Sequence, residues 1–377
     1  MISYGKQSID QSDIDAIVDV LKSDFLTQGP KSIEFENGLS AYCGAKHVKV
    51  VSSGTAALHL AYLAIGLSEG DVVWTVPNTF VATANAALYC GAEVDFVDID
   101  PKTYNLSIKA LKKKLIQAKK TNNLPNLVVP VHFSGQSCNM KEIWSLSQEY
   151  GFKVIEDASH ALGGEYLGHK VGSCKYSHMS VFSFHPVKMI TTGEGGAVLT
   201  NDKNLSDRVA ILMNHGITKD GNCFQNRCHD GWYYEQQDLG FNYRLTDIQA
   251  ALGISQLKRL DNFIVRRREL AKRYLNELNC LALPYQHPDT NSSWHLFVVQ
   301  VNDRKRVWQK LAELGLGTQV HYIPIVNQPY YQNLGYRVSH YPATKRYYQH
   351  ALSIPLYYDL NDADQELIIS TVNSFHA

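Results

Sequence analysis

The sequence predicts an α/β fold: a large domain with a mostly parallel sheet covered by helices, followed by a smaller C-terminal α+β domain. Three observations support this prediction. The 377 residues exceed the length at which one hydrophobic core usually keeps growing. Short apolar runs alternate with amphipathic segments through the first half of the chain. After about residue 250 the pattern changes to one long helical segment and then to alternating strands.

The predicted strands of the large domain are apolar along most of their length, as strands buried on both faces are. They are "VKVVSS", "DVVWTV", "EVDFVDID", "LVVPVHF", "KVIEDA", "MSVFSFH" and "GAVLT". The first four are each followed by an amphipathic segment, namely "TAALHLAYLAIGL", "TANAALYCG", "LSIKALKKKLIQAKK" and "NMKEIWSLSQEYG". Strands that alternate with helices in this way predict parallel pairing.

The chain divides into three predicted parts. Residues 1–29 form an N-terminal arm with a helix from "DQSDIDAIVDVLKS". Residues 30–250 form the large domain. Residues 251–377 form the small domain, which takes most of the long helical segment "DIQAALGISQLKRLDNFIVRRRELAKRYLNEL", the strand "WHLFVVQV" and the helix "KRVWQKLAEL".

The composition argues against several classes of function. The 36 basic residues balance the 36 acidic ones, so the chain lacks the positive charge of proteins that bind nucleic acid or anionic membranes. The N-terminus "MISYGKQSID" does not resemble a signal peptide, and no run of about 18 apolar residues occurs. Seven cysteines without a C-x-x-C spacing argue against a disulfide framework. These observations predict a cytoplasmic protein that contacts neither nucleic acid nor membrane.

Three motifs follow predicted strands, at the edge where open α/β sheets bind ligands. In "VVSSGTAALHLA", Gly54 allows a tight turn and the helix opening at Thr55 offers free amides to a phosphate. In "KVIEDASHALG", Asp157 and His160 place an anion and an imidazole at this edge. In "SFHPVKMITTGEGG", Lys188 lies between a strand and a glycine-rich loop. Each motif also has a purely structural interpretation, as a capped helix, a satisfied core histidine or a surface lysine.

Lys188 is the most informative of these residues. A lysine partly desolvated between a core strand and a glycine-rich loop has a lowered pKa, which favours the neutral amine that forms Schiff bases. In a cofactor with an aldehyde, a phosphate and a ring nitrogen, Lys188 would bind the aldehyde. Gly54 and Thr55 with Ser183 would bind the phosphate, and Asp157 would bind the ring nitrogen. Pyridoxal 5'-phosphate has these groups. Phe80, in "VPNTFVATANAAL", is positioned to stack on a ring, although a core position is an equal alternative.

These motifs, together with "LGFNYRLTDIQAALG" and "HYIPI", resemble the sugar-nucleotide aminotransferases of the DegT/DnrJ/EryC/StrS type, which are fold-type-I enzymes dependent on pyridoxal phosphate. The resemblance extends from Tyr4 to about Tyr357 and implies a role for each matching residue. Lys188 matches the Schiff-base lysine and Asp157 the partner of the ring nitrogen. The other implied cofactor contacts are Phe80 for ring stacking, His160 on the ring's hydroxyl side, and Gly54, Thr55 and Ser183 for the phosphate.

The resemblance also implies a homodimer with shared active sites. Asn242, in "GFNYRL", matches an asparagine that reaches the cofactor phosphate of the neighbouring subunit. Other matching residues line the sugar-nucleotide pocket in this family: Tyr4, Leu26, Thr27, Gln28, Gly29, Tyr322, Ile323, Pro324 and Ile325.

The forms "SFHPVK" and "LTQG" are most similar to family members of the pseudaminic acid route. They imply transfer of an amino group from an amino acid, with L-glutamate as the expected donor, to C4 of a UDP-linked 4-keto-6-deoxy-N-acetyl hexose. A D-configured or a 3-keto nucleotide sugar is the alternative substrate. Sugar dehydration and non-catalytic sugar binding are alternative functions. Relatives that dehydrate replace the lysine with histidine, and a non-catalytic protein is expected to lose Lys188 or Asp157, so the presence of both argues against these alternatives.

One segment, "TKDGNCFQNRCHDGWYYEQQD", departs from the usual family pattern, which leaves its role in substrate choice open. His215, Cys223, Cys228 and His229 lie in or beside this segment. Their spacing matches no established zinc pattern, so no metal site is predicted.

Overall fold

A computed structural model describes residues 2–226 and 230–375. The helices of these residues are α1 (Gln11–Leu21), α2 (Pro30–Cys43), α3 (Gly54–Ala64), α4 (Val81–Tyr89), α5 (Ile108–Lys120), α6 (Met140–Tyr150), α7 (Lys203–Leu212), α8 (Asp247–Glu277), α9 (Arg304–Glu313), α10 (Pro329–Asn333), α11 (Pro342–His350) and α12 (Asp362–Asn373).

The strands are β1 (His47–Val51), β2 (Val72–Thr75), β3 (Glu93–Phe96), β4 (Leu127–Val128), β5 (Lys153–Asp157), β6 (Glu165–Tyr166), β7 (His169–Lys170), β8 (Met179–Ser183), β9 (Gly196–Thr200), β10 (Ile217–Thr218), β11 (Glu235–Gln236), β12 (Thr290–Asn291), β13 (Phe297–Gln300) and β14 (Ala351–Ile354). Short 3-10 turns cover Phe133–Gly135, Gly221–Cys223, Ile325–Asn327 and Val338–His340.

The central sheet of the described residues has seven strands in the order β1-β9-β8-β5-β4-β2-β3. β9 pairs antiparallel with β1 and β8, and the remaining pairs are parallel. These seven strands are the seven apolar runs of the sequence, so the predicted mostly parallel sheet is confirmed. The reversed direction of β9 was not predicted, because apolar burial on two faces does not distinguish strand direction.

Both faces of the sheet are buried. On one face, Val73 and Val181 pack with α3, α4 and α7. On the other face, Trp74 and Val154 pack with α5 and α6, and Phe182 packs with α2 and α8. In the inner strands alternate residues meet different helices, so both sets are mostly apolar, whereas the edge strand β3 keeps Glu93 exposed. This explains why most of the runs are largely apolar.

Side-chain caps determine where several helices begin. Ser53 Oγ accepts a hydrogen bond from a backbone amide in the first turn of α3. Capping boxes open α1, between Asp10 and Asp13, and α8, between Thr246 and Gln249. Each cap satisfies amides that have no acceptor within the helix. The start of α3 therefore follows directly from the "SSGT" sequence.

The C-terminal part is α+β, as predicted. β13 and β14 pair antiparallel, and Tyr274 of α8 packs against them together with α9 and α12. The first half of α8 belongs to the large core instead, through Leu260 and Phe263. The helix α8 spans residue 250, where the sequence predicts the boundary between the large and the small domain. That boundary and the separate N-terminal part at residues 1–29 stay predictions.

Among the helices of the described residues, none combines the length and the apolar character that crossing a membrane requires.

Gly196 is predicted to be essential for packing β9 against the turn between β1 and α3. A Cβ at this position would lie 2.5 Å from the carbonyl oxygen of Ser53 and 2.8 Å from the amide nitrogen of Gly54. Because both neighbours are backbone atoms, Gly196→Ala should lower the free energy of unfolding by about 2 kcal/mol, measured by urea denaturation. Gly231→Ala is the control, since a Cβ there meets no heavy atom of the described residues within 4 Å. An equal loss in both variants would contradict the packing argument.

Candidate active site

The carboxyl ends of the parallel strands β1, β2, β5 and β8 border one cavity of about 670 Å³. The structure brings many of the predicted site residues together around it. Those that line the cavity are Tyr4, Gly54, Thr55, Phe80, Asp157, His160, Ser183, Lys188, Tyr322 and Ile323. The cavity thus lies at the edge of the sheet where the motifs place a ligand.

Lys188 lies in the loop that joins β8 to β9. Its backbone N–H donates to the carbonyl oxygen of His185 at 2.8 Å, which closes a turn directly after the strand. Burial lowers the pKa of Lys188 to about 8, while the negative charge of Asp157 acts in the opposite direction. A lysine with this pKa is partly neutral near neutral pH and can act as a nucleophile or a base.

Asp157 is buried at the end of β5, and both of its carboxylate oxygens accept hydrogen bonds. Oδ2 accepts from Thr83 Oγ1 at 2.7 Å, and Oδ1 accepts from the hydroxyl and the amide of Ser159 at 2.7 and 3.2 Å. The Thr83 hydroxyl is also 2.8 Å from that of Thr79. These bonds fix the orientation of the carboxylate, whose charge favours a cationic group in the cavity.

His160 connects the sheet to the C-terminal part of the chain. Its Nδ1 accepts from the backbone N–H of Ser134 at 3.3 Å, and its Nε2 is 2.9 Å from the hydroxyl oxygen of Tyr322. Burial and the positive charge of Lys188 lower the pKa of His160 well below its usual value, so the ring is neutral. Since Nδ1 accepts, the proton is on Nε2, which donates to Tyr322. The Tyr322 hydroxyl can then donate to a ligand.

The turn between β1 and α3 lies against the end of β8. A Cβ on Gly54 would lie 2.8 Å from the Cβ of Ser183, so a side chain at residue 54 would prevent this contact. Ser53 caps the helix, which was the structural interpretation of this motif. The amides of Gly54 and Thr55 still have no acceptor within α3. Capping and anion binding are therefore compatible here.

Phe80 lies at the mouth of the cavity rather than in the core. It immediately precedes α4 and its side chain is 56% exposed. Its ring centroid is 6.2 Å from that of Tyr322. This position favours the stacking interpretation over the core interpretation.

Other predicted site residues lie away from this cavity. Asn242 is exposed, and Leu26 to Gly29 are held at the start of α8, where the Gly29 amide donates to Asp247 at 2.7 Å. Pro324 and Ile325 are buried and do not line the cavity. Cofactor binding by Asn242 and substrate binding by the other residues stay predictions.

Several cavity residues were not predicted from the sequence. Thr79 and Thr83 are one helical turn apart beside Phe80, so helix periodicity could have indicated that they share a face. His295 has no local signal, because only the tertiary fold brings it to the sheet, whereas His321 is the first residue of the "HYIPI" motif. Further lining residues are Ser159, His185, Glu194, Gln319 and Gln328.

The described residues contain no group of three or more His, Cys, Asp or Glu side chains that could hold a metal ion. Cys228 and His229 of the zinc alternative lie outside the described residues.

Comparison with known proteins gives consistent matches over nearly the whole chain. Residues 7–373 match the DegT/DnrJ/EryC1/StrS aminotransferase family. The chain is 41% identical over 382 residues to the UDP-4-amino-4,6-dideoxy-N-acetyl-beta-L-altrosamine transaminase of Campylobacter jejuni, covering 99% of this chain and 97% of that one. It is 38% identical over 384 residues to the spore coat polysaccharide biosynthesis protein SpsC of Bacillus subtilis, covering 98% and 96%.

Among solved structures, the fold is similar to that of Helicobacter pylori PseC, an aminotransferase involved in the biosynthesis of pseudoaminic acid. The TM-score is 0.90 at 32% sequence identity, over 100% of this chain and 99% of that one. These matches confirm the family resemblance and the fold class predicted from the sequence.

The lowered pKa of Lys188 should be measurable in the cofactor-free protein. Labelling with acetic anhydride, followed by mass spectrometry, should show the Lys188 peptide reaching half-maximal reactivity near pH 8. Because the charge of Asp157 stabilises the ammonium form, Asp157→Asn should move this midpoint to lower pH. The exposed Lys22 provides the reference curve in both proteins. A Lys188 curve that coincides with the Lys22 curve would contradict the assignment.

Proposed function

The chain belongs to the DegT/DnrJ/EryC1/StrS aminotransferase family, and on this basis we propose that it uses pyridoxal 5'-phosphate to transfer an amino group from L-glutamate to a nucleotide sugar. The proposed acceptor is C4 of a UDP-linked 4-keto-6-deoxy-N-acetyl hexose, for pseudaminic acid or a related surface glycan. The observation that carries the proposal is that Lys188, Asp157 and the Gly54 turn border the same cavity.

The residues of the cavity fit the groups of this cofactor. The amine of Lys188 suits the aldehyde, the amides of Gly54 and Thr55 with the Ser183 hydroxyl suit the phosphate, and the carboxylate of Asp157 suits the protonated ring nitrogen. When bound, pyridoxal phosphate supplies an aldehyde that exchanges amines and a ring that stabilises the electron pair left when a neighbouring carbon loses its proton.

Lys188 is the proposed acid and base of both half-reactions. Once its amine is free, it would remove the proton from Cα of the donor. The donor would leave as a keto acid, and its amino group would stay with the cofactor. In the second half-reaction Lys188 returns a proton to C4 of the sugar, where the ketone becomes an amine. A pKa near 8 suits both roles, because general acid–base catalysis is most efficient when the pKa is close to the working pH.

Asp157 and the cavity walls support this proton transfer. Thr83 and Ser159 hold the carboxylate in place, so its charge can keep the ring nitrogen protonated without rearrangement. Leu58 and Val131 contribute apolar wall beside these groups. Apolar walls limit water near the reacting carbon and strengthen the effect of the Asp157 charge.

The substrate proposal draws its support from the relatives. The name of the Campylobacter jejuni protein describes a UDP-linked 4-amino-4,6-dideoxy-N-acetyl sugar. In the present chain, Tyr4 and His321 lie on the same side of the cavity with ring centroids 5.1 Å apart. Neither ring is charged, because burial lowers the pKa of His321 to about 3 and raises that of Tyr4. Uncharged rings suit contact with an N-acetyl sugar.

The proposed assembly is a homodimer in which each subunit completes the site of the other. Asn242 supports this, since it is exposed and does not line the cavity of its own chain. The family resemblance assigns it to the cofactor phosphate of the neighbouring subunit.

The substrate proposal is tested by offering purified protein, pyridoxal phosphate and L-glutamate a panel of 4-keto and 3-keto nucleotide sugars. We expect a yellow protein that aminates the UDP-linked L-arabino 4-keto isomer with a higher kcat/KM than the D-xylo isomer, with the product identified by NMR. Borohydride should attach the cofactor to Lys188, and Lys188→Ala should form no product. Preference for the D-xylo isomer, or amination at C3, would refute only the substrate. Attachment at another lysine would refute the site.

The shared site is tested by mixing two inactive variants. In a heterodimer of Lys188→Ala and Asn242→Asp chains, the proposed arrangement places both defects in one site and leaves the other site native. Activity should therefore return when the two variants are refolded together, up to about half the wild-type value per heterodimer, because only one of its two sites is native. If Asn242 served its own chain, both sites of the heterodimer would be defective and no activity would return.

A further inference from the structure

His295 lines the cavity although no catalytic or cofactor role has been assigned to it above. It is buried, and its Nδ1 atom has no hydrogen-bond partner in the described part of the chain. Its ring lies against that of His160, with the centroids 4.4 Å apart. His295 lies in the turn before β13. It therefore links the C-terminal part of the chain to His160, which follows β5.

Two loops hold His160 between them. From the loop at residues 133–136, Ser134 donates its backbone N–H to His160 Nδ1. From the loop at residues 292–296, Ser293 donates its hydroxyl to the carbonyl oxygen of His160 at 3.0 Å. The loops are also joined to each other, because the His295 N–H donates to the carbonyl oxygen of Ser134 at 3.0 Å. A shift of the second loop would therefore move His160.

Arg267 holds this second loop from behind. Its Nη1 donates to the carbonyl oxygens of Trp294 and His295, both at 3.2 Å, and of Leu356 at 2.8 Å. Arg267 is buried, with an exposed fraction of 3%. It forms no ion pair within the described residues. A buried cation without a carboxylate partner is costly, and apolar residues often stabilise such positions better. Here three backbone carbonyl oxygens take the place of a carboxylate, so the guanidinium ties the turn at residues 294–295 to α8 and to Leu356.

Arg267 is also close to the reactive lysine. Arg267 and Lys188 both border a second, very small cavity behind the loop between β8 and β9. Arg267 therefore contacts the turn that carries His295 and shares this small cavity with Lys188.

We propose that Arg267 and His295 are positioning residues that act as one unit: Arg267 fixes the turn at residues 294–295, and His295 fixes the ring of His160. His160 in turn orients the Tyr322 hydroxyl at 2.9 Å. This inference rests on the proposed function, since it assigns the unit to a wall of the cofactor site. It predicts that the two residues are energetically coupled although neither carries out a chemical step.

The coupling is tested with Arg267→Met, His295→Leu and the double variant, each loaded with pyridoxal phosphate. The dissociation constant of the cofactor is measured by fluorescence quenching and the bound state by its visible spectrum. Each single change should weaken binding about tenfold and alter the spectrum, because a small displacement of a site residue is sufficient. The double variant should be no weaker than the worse single one, since residues that act as a unit are not additive.

Arg266→Met is the matched control. Arg266 is adjacent on α8, and its guanidinium donates to Glu269, to the carbonyl oxygen of Leu360 and to Asp362 rather than to the loop at residues 292–296. This variant should bind the cofactor within about twofold of the wild type. Arg267→Ala should regain cofactor affinity when millimolar guanidinium is added, which a general loss of stability would not allow.

Hydrogen–deuterium exchange provides a measurement that needs no cofactor. In the cofactor-free Arg267→Met protein, exchange should increase in peptides that cover residues 133–136 and 292–296 and stay unchanged in β1 and β9. Wild-type exchange and affinity in both single variants, or fully additive losses in the double variant, would overturn the inference. A wild-type protein that binds no pyridoxal phosphate would instead refute the proposed function, while the exchange experiment would still test the positioning unit.

Discussion

The parallel alignment of the central strands is the constraint on which the site depends. Because β1, β2, β5 and β8 run in the same direction, their carboxyl ends meet at one edge of the sheet. β9 is the exception in the described sheet, and its reversal keeps the loop from β8 to β9 at that edge. Lys188 therefore reaches the cavity from a short hairpin connection, which holds it near Asp157 without a crossover helix.

The charges of the cavity are few and therefore well defined. Burial and the Lys188 charge keep His160 and His321 neutral by lowering the pKa of each. His321 is also held by Ser353, whose hydroxyl oxygen is 2.8 Å from its Nδ1. With these two imidazoles neutral, Lys188 and Asp157 dominate the field in the buried part of the cavity, since Glu194 is exposed. Their interaction is then strong because buried groups are poorly screened by water.

How much could be predicted from the sequence depended on how local each signal was. The seven strands were predictable because burial on two faces produces largely apolar runs. The positions of Asp157 and Lys188 at the cavity were predictable because Asp157 ends a strand and Lys188 follows one within a few residues. His295 and Arg267 were not, since their significance comes from contacts between segments far apart in the chain. The direction of β9 was also not predictable, because hairpins and crossovers can connect similar apolar runs.

The walls of the cavity have two separate origins. One side comes from loops at the strand ends, where Ser183 beside Gly54 and backbone atoms beside Gly196 leave no room for added side chains. Another part of the wall is formed by Ile323 and Gln328, which come from the C-terminal part of the chain. The side chain of Ile323 is exposed. Changes at these two positions alter the shape of the cavity without touching the packed turns. The fold thus permits the cavity to change its shape at this wall while the turns that hold Lys188 and Asp157 stay the same.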